Sequence, residues 1–135
     1  MREIRFRGKR IDNGELIYGF YYHSTINGLH YIADIKETRA EGVIPETVGQ
    51  FTGLHDKNGK EIYEGDIAVC TYGKWHEEPK GLTRIGKVMY DVKTCAFKMA
   101  LKNSAMLVSF RDTKPKDIEV IGNIHDNPEL LEAEV

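Results

Sequence analysis

The feature that most constrains the fold is a succession of short segments in which apolar and polar residues alternate. A period of two is typical of strands that bury one face, whereas a helix repeats about every 3.6 residues. The clearest such runs lie at 16–22, 29–33, 67–72, 85–90, 95–101 and 118–121, with weaker ones at 4–6 and 106–110. We therefore predict a mostly β protein.

Turn signals separate these runs. Asn27-Gly28 favours a tight hairpin turn between its flanking runs, and Asn58-Gly59 lies at the centre of a polar turn. Gly19 interrupts an aromatic run, which predicts a bulge or the close approach of another backbone. The polar segments 36–42 and 73–83 are predicted to be loops.

Two further segments have individual predictions. Short extended pieces are expected at 43–44 and 47–48, on either side of Pro45. The best helix signal is at the C-terminus, where Asn127 is a candidate cap, Pro128 suits the first helical position and 129–133 follow. We expect one short helix there.

Composition excludes several classes of protein. The 135 residues are 41% hydrophobic and 30% charged, with 19 basic and 21 acidic side chains, as in soluble globular proteins. Near-neutral charge argues against a surface built throughout for nucleic acid. The basic start has no apolar signal core, no run is long enough to span a bilayer, and Cys70 and Cys95 are too few for a disulfide framework. We expect a soluble, cytoplasmic protein.

Charge is nevertheless distributed unevenly. The acidic end carries Asp126, Glu129, Glu132 and Glu134, whereas the basic start offers five candidate contact residues: Arg2, Arg5, Arg7, Lys9 and Arg10. The alternation predicts that Ile4 and Phe6 face inward and that cations occupy the other face. That face is a candidate contact for nucleic acid, with nearby aromatics at 18–31 for stacking, or for another subunit. The alternative is a charged edge strand that prevents wrong pairing.

Residues suited to catalysis or metal binding are scarce. No closely spaced ligand pair, nucleophile motif or glycine-rich phosphate loop is present. Glu61, Glu64 and Asp66 form the densest carboxylate group, which is either a metal or acid–base site or a solvated approach to a strand. We assign no catalytic, cofactor-binding or metal-binding residue, and we expect a protein without enzymatic activity.

Three segments, taken in order, resemble the YopX family of phage and prophage proteins. They are Arg-Glu-Ile-Arg-Phe at 2–6, QFTGLHDKNGKEIYEGDI at 50–67 and VIGNIHDNPELL at 120–131. His55 departs from the family, which often has lysine or another polar residue there, and the loop at 73–83 is individual to this chain.

The resemblance implies an architecture in two parts. Residues 1–49 would form a β-rich part engaged in self-association, and residues 50–135 an SH3-like barrel with a short C-terminal helix. The family supplies no catalytic residue or cofactor to transfer. The leading hypothesis is a homo-oligomeric assembly or adaptor protein, in which the basic strand meets acidic residues such as Glu129 and Glu132 of a neighbouring subunit. The alternatives are a nucleic-acid-binding accessory protein and a metal-dependent hydrolase using the three carboxylates.

Overall fold

The computed structural model describes residues 2–34, 36, 39–72 and 81–132, and antiparallel strands dominate this part of the chain. The strands are β1 (Phe6–Lys9), β2 (Leu16–His23), β3 (His30–Asp34), β4 (Ala40–Gly42), β5 (Gly49–His55), β6 (Glu61–Tyr63), β7 (Asp66–Tyr72), β8 (Leu82–Asp91), β9 (Ala96–Leu101), β10 (Leu107–Ser109) and β11 (Ile118–Asn123). Three short 3₁₀ helices span Pro45–Thr47, Pro115–Asp117 and Pro128–Leu131. The prediction of a mostly β protein is confirmed.

The chain divides into two compact units, Met1–Gly53 and Leu54–Val135, so that the boundary falls within β5. In the N-terminal unit the strand order is β4-β3-β2-β1-β5. One face of this sheet covers a small core in which the buried side chains are Ile17, Ile32 and Val43. Among the helices of the described residues, none is long and apolar enough to cross a membrane.

The β2–β3 hairpin forms where the sequence predicts it, but residues 24–29 connect its strands, so the turn is longer than the tight turn expected. Its turn closes through hydrogen bonds between Ser24 and both Gly28 and Leu29, and Gly28 has a φ of 73°. Strand β2 runs without interruption through Gly19, where a side-chain carbon would overlap the Ala33 carbonyl oxygen. Of the two interpretations of this glycine, close backbone approach is the correct one.

Two local predictions in the N-terminal unit are wrong. Strand β4 lies in a segment expected to be a loop, because Ala40 to Gly42 pair with β3 despite their weak strand propensity. Thr47, expected to be extended, ends a 3₁₀ helix in which Pro45 takes the first position. Proline's fixed φ favours a helical start, and the Thr47 hydroxyl then donates to the Ile44 carbonyl at 2.6 Å.

The C-terminal unit contains a five-stranded antiparallel sheet in the order β10-β9-β8-β7-β11. Its core consists of eight buried side chains: Ile62, Ala68, Cys70, Val88, Met99, Leu101, Val108 and Ile118. Within the described residues the edge strands β10 and β11 do not pair with each other, so this sheet does not close. The closed barrel that the resemblance implied is therefore wrong. Strand β10 has only three residues, which pair with β9 alone.

Two of the segments that carry the family resemblance meet in this unit. The Asp56 carboxylate accepts a hydrogen bond from Val120 N–H at 2.9 Å, and the Ile124 N–H donates to the Gly65 carbonyl at 2.9 Å. Strands β7 and β11 pair alongside these bonds. The two segments that carry the resemblance are therefore hydrogen-bonded to each other within this unit.

The C-terminal helix is present and short, at Pro128–Leu131, but it is a 3₁₀ helix. Asn127 does not cap it with its side chain. The Asn127 Oδ1 instead accepts a hydrogen bond from the Asn123 N–H at 3.3 Å, which holds the preceding turn. The last part of the predicted helix lies outside the described residues.

Candidate interaction surface

The basic residues at the start of the chain do not form one exposed cationic face. Arg2 is exposed ahead of β1, whereas Arg7 lies within the strand and is only 5% exposed. The Arg5 side chain is 18% exposed, bonds the Glu3 carboxylate at 2.9 Å and places its guanidinium 4.6 Å from the centre of the Phe51 ring. Ile4, expected to face inward, is 51% exposed because it precedes the paired residues of β1.

The other two candidate cations are also engaged within their own unit. The Lys9 backbone N–H donates to the Thr47 hydroxyl at 2.9 Å, and its side chain is partly buried. Arg10 contacts Asp12 at 2.7 Å and Glu41 at 3.5 Å. The hydrogen bond to Asp12, followed by the charges of both carboxylates, raises the pKa of Arg10 despite some desolvation.

Within β1 the alternation is as expected, since Phe6 packs on the core and Arg7 and Lys9 lie on the other side of the sheet. Contact of the five residues with nucleic acid or another subunit stays a prediction.

The neighbouring strand adds aromatic side chains on the same side of the sheet as Arg7, which lies directly opposite Tyr18. From Tyr18 to Tyr22, every second residue of β2 is aromatic and exposed, with Tyr18 at 39%, Phe20 at 58% and Tyr22 at 47%. From β3, Tyr31 stacks on Tyr22 with ring centres 5.2 Å apart. We call these four side chains the aromatic face.

The strand period explains why this face coexists with a core. Ile17 and Tyr21 point to the opposite side of β2, where they pack into the core of the unit. The Tyr21 hydroxyl and the His30 Nδ1 are hydrogen-bonded at 2.6 Å. The aromatic run that the sequence analysis treated as one candidate stacking surface is therefore divided between two sides of the sheet.

Exposed aromatic side chains in a row are suited to binding. A hydrophobic patch that a monomer leaves open to water is a recurrent sign of a contact surface. Tyrosine combines a large apolar ring with a polar end, so it tolerates both water and a partner. An asparagine at the hairpin turn supports the patch, since Asn27 Nδ2 donates to the Tyr31 hydroxyl at 2.8 Å. The alternation in the sequence signals this face, but only the structure shows that its side chains are exposed.

The carboxylates considered for metal chemistry have structural contacts instead. Asp66 is 1% exposed and its Oδ2 accepts a hydrogen bond from the Tyr63 N–H at 2.7 Å. Glu61 accepts a bond from the Tyr63 hydroxyl at 3.3 Å. Among the described residues, which include Glu64, no group of three or more potential ligands is placed to hold a metal ion. The convergence that the hydrolase hypothesis required is not seen.

Comparisons with known proteins add a family and a fold. A family model described as YopX protein matches residues 5–132. The fold is similar to that in the crystal structure of protein EF1440 from Enterococcus faecalis, with a TM-score of 0.58 and 24% sequence identity. That alignment covers 98% of this chain and 100% of the other. No curated protein matches the sequence.

Proposed function

The chain belongs to the YopX family, and from this premise we propose that it is a phage-derived, non-enzymatic assembly or adaptor protein that forms homo-oligomers. The observation that carries the proposal is the aromatic face, in which three side chains of one strand are each more than one-third exposed. The expected occupant of this face is the same face of a second copy.

Three properties of the N-terminal unit favour a second copy. A symmetric contact needs a surface that complements itself, and aromatic side chains in a row can interdigitate across a two-fold axis. Residues 1–53 contain equal numbers of acidic and basic side chains, so two such units carry no net repulsion. Strand β4 lies at the edge of its sheet, next to β3. An edge strand offers unpaired backbone groups to another chain.

The non-enzymatic part of the proposal is supported by the state of the buried carboxylates. Of the three buried aspartates among the described residues, Asp56 and Asp66 accept hydrogen bonds from backbone N–H groups at 3.0 Å or less, and Asp91 accepts bonds from the Thr94 hydroxyl and the Lys98 ammonium. A carboxylate used in this way stabilises a turn and is poorly suited to proton transfer. We also propose that the C-terminal unit is SH3-like, with its five-stranded sheet left open.

Sedimentation velocity of the full chain tests self-association directly. We expect an oligomer for the parent protein and a shift to monomer when Phe20→Ser and Tyr22→Ser are combined, because the apolar contact area is removed. Both residues are exposed, so the monomer is expected to stay folded.

Ile26→Ser is the matched control. Ile26 is 96% exposed, lies in the β2–β3 turn and does not belong to the aromatic face. This variant removes a comparable apolar side chain and is expected to leave the oligomer intact. A parent protein that remains monomeric at high micromolar concentration would refute the proposal.

A further inference from the structure

A second candidate surface lies entirely within the C-terminal unit. An open groove of about 750 Å³ is found where β7 meets β8, beside the turn between β9 and β10. Its volume lies within the range of small-molecule sites, roughly 300–1,000 Å³. Its lining combines apolar residues with two cations, Arg84 and Lys102. Neither residue belongs to a motif or candidate site identified from the sequence.

Among the described residues, the charged side chains that line this groove are all basic. None of its described lining residues is acidic, although residues 54–135 contain more acidic than basic side chains overall. Neither Arg84 nor Lys102 forms an ion pair within the described part of the chain. The Arg84 Nη1 donates to the Thr83 carbonyl at 2.9 Å, and this bond orients the guanidinium. Two cations without a neutralising carboxylate attract an anion.

The turn beside the cations adds neutral hydrogen-bond donors. The Ser104 Oγ accepts a bond from the Met106 N–H at 3.0 Å, which leaves the hydroxyl proton free to donate. Asn103 is exposed and has a φ of 57°, a left-handed conformation that asparagine tolerates better than most residues. The Lys102 N–H donates to the Ile85 carbonyl at 2.8 Å and anchors this turn to β8. The groove therefore combines charged and neutral donors on a fixed backbone.

We propose that this groove binds the phosphate of a nucleotide. Arg84 and Lys102 would contact the phosphate oxygens, with the Ser104 hydroxyl as a further donor. Tyr72 and Met106 also line the groove and supply the apolar surface that a base needs. A free nucleotide and a single strand of nucleic acid share this chemistry. The proposal is independent of self-association, because all of its residues lie in the C-terminal unit.

Fluorescence anisotropy with a short labelled oligothymidylate at low salt tests the groove. We expect Arg84→Ser and Lys102→Ser each to weaken binding about tenfold, since each removes a charged hydrogen-bond donor. Each is also expected to reduce the slope of log affinity against log salt by about 0.7, the contribution of one phosphate contact on a single strand. Lys93→Ser is the control, because Lys93 is an exposed cation of the same unit in the turn after β8.

Competition with thymidine monophosphate and with inorganic phosphate distinguishes the two sources of the ligand. Displacement of the oligonucleotide by the mononucleotide supports a free nucleotide, and failure to displace it supports a strand. Lys102→Arg keeps the charge and is expected to restore binding, which separates loss of contact from loss of fold.

The outcomes that overturn the proposal are equally definite. The groove is rejected if no probe binds at low salt, or if Arg84→Ser and Lys102→Ser bind as tightly as the Lys93→Ser control. The combined Phe20→Ser and Tyr22→Ser variant should still bind the oligonucleotide. Loss of binding in that variant would place the site outside the groove, whatever its effect on the oligomer.

Discussion

At the scale of single residues, Asp56 shows how a sequence motif becomes a structural requirement. Its Oδ1 accepts hydrogen bonds from the N–H groups of Asn58 and Lys60 at 2.8 and 3.0 Å, and its Oδ2 accepts the bond from Val120. One buried side chain thus closes its own turn and attaches it to β11. Burial acts to raise the pKa of Asp56, but these three bonds outweigh it and lower the pKa below the ordinary value of 3.8.

Asp56→Asn is expected to destabilise the protein by about 2 kcal/mol at neutral pH, because the amide offers acceptor oxygen on one side only and turns an N–H donor toward the other. The lowered pKa means that the carboxylate stabilises the fold fully above the ordinary pKa. This contribution is lost as the pH falls through the folded-state pKa. The difference in free energy of unfolding between the parent and Asp56→Asn should therefore narrow from about pH 4 downward. Urea unfolding at a series of pH values measures it.

Asp112→Asn provides the comparison for this experiment. Asp112 is exposed, and its carboxylate accepts a hydrogen bond from the Ser109 hydroxyl at 3.2 Å. We expect its effect on the free energy of unfolding to stay within about 0.5 kcal/mol. If the loss in free energy of unfolding caused by Asp56→Asn were constant across the acid range, it would contradict the role assigned to the ionised carboxylate.

At the scale of elements, β2 depends on a glycine within the strand. The Ala33 carbonyl of β3 occupies the space where a side chain of Gly19 would begin, so the two strands approach closely only because that side chain is missing. Gly19→Ala must push β3 away or bend β2. We expect a loss of about 1–3 kcal/mol in the free energy of unfolding, the usual cost of overpacking.

Gly42→Ala tests whether the loss is specific to that position. Gly42 lies in β4 of the same sheet, and the one described neighbour that an added carbon there would meet is the Ile11 side chain, at 3.4 Å. Thermal unfolding should show Gly42→Ala near the parent and Gly19→Ala well below it. Equal melting temperatures for the two variants would show that the close approach is not required.

The elements also show what the sequence could and could not predict. Alternation located β7, β8, β9 and β11, and the two Asn-Gly dipeptides marked the β2–β3 and β5–β6 turns, because both signals depend on neighbours along the chain. Strand β4 was missed, since its pairing with β3 and not its own composition makes it a strand. The burial of Arg7 and the open edges of the second sheet were missed for the same reason: both depend on residues distant in sequence.

At the scale of the whole molecule, the distribution of charge sets the conditions under which copies should associate. Arg5 and Arg10 already contact carboxylates of their own unit, whereas the aromatic face carries no formal charge. Two modes of association can therefore be told apart by their response to salt. One is contact through the aromatic face, and the other is pairing of the basic start with the exposed Glu129 and Glu132 of another copy.

We expect the oligomer to persist or to strengthen when salt is raised, because salt screens ion pairs but does not weaken apolar contacts. Sedimentation velocity at low and at high sodium chloride measures this. Dissociation at high salt would instead support the charge-paired arrangement between the two ends of the chain.

The strict alternation along β2 limits how this chain can vary. Apart from Gly19, side chains of the core and of the aromatic face alternate from Ile17 to Tyr22, so inserting or deleting one residue within the strand would exchange the two sets. The aromatic face would turn inward and Ile17 would be exposed. Length changes in this hairpin should therefore be tolerated in the turn at 24–29 and only in pairs within the strand. In a library of insertions, folded variants are expected for changes in the turn and for paired insertions within the strand, and loss of folding for single insertions within the strand.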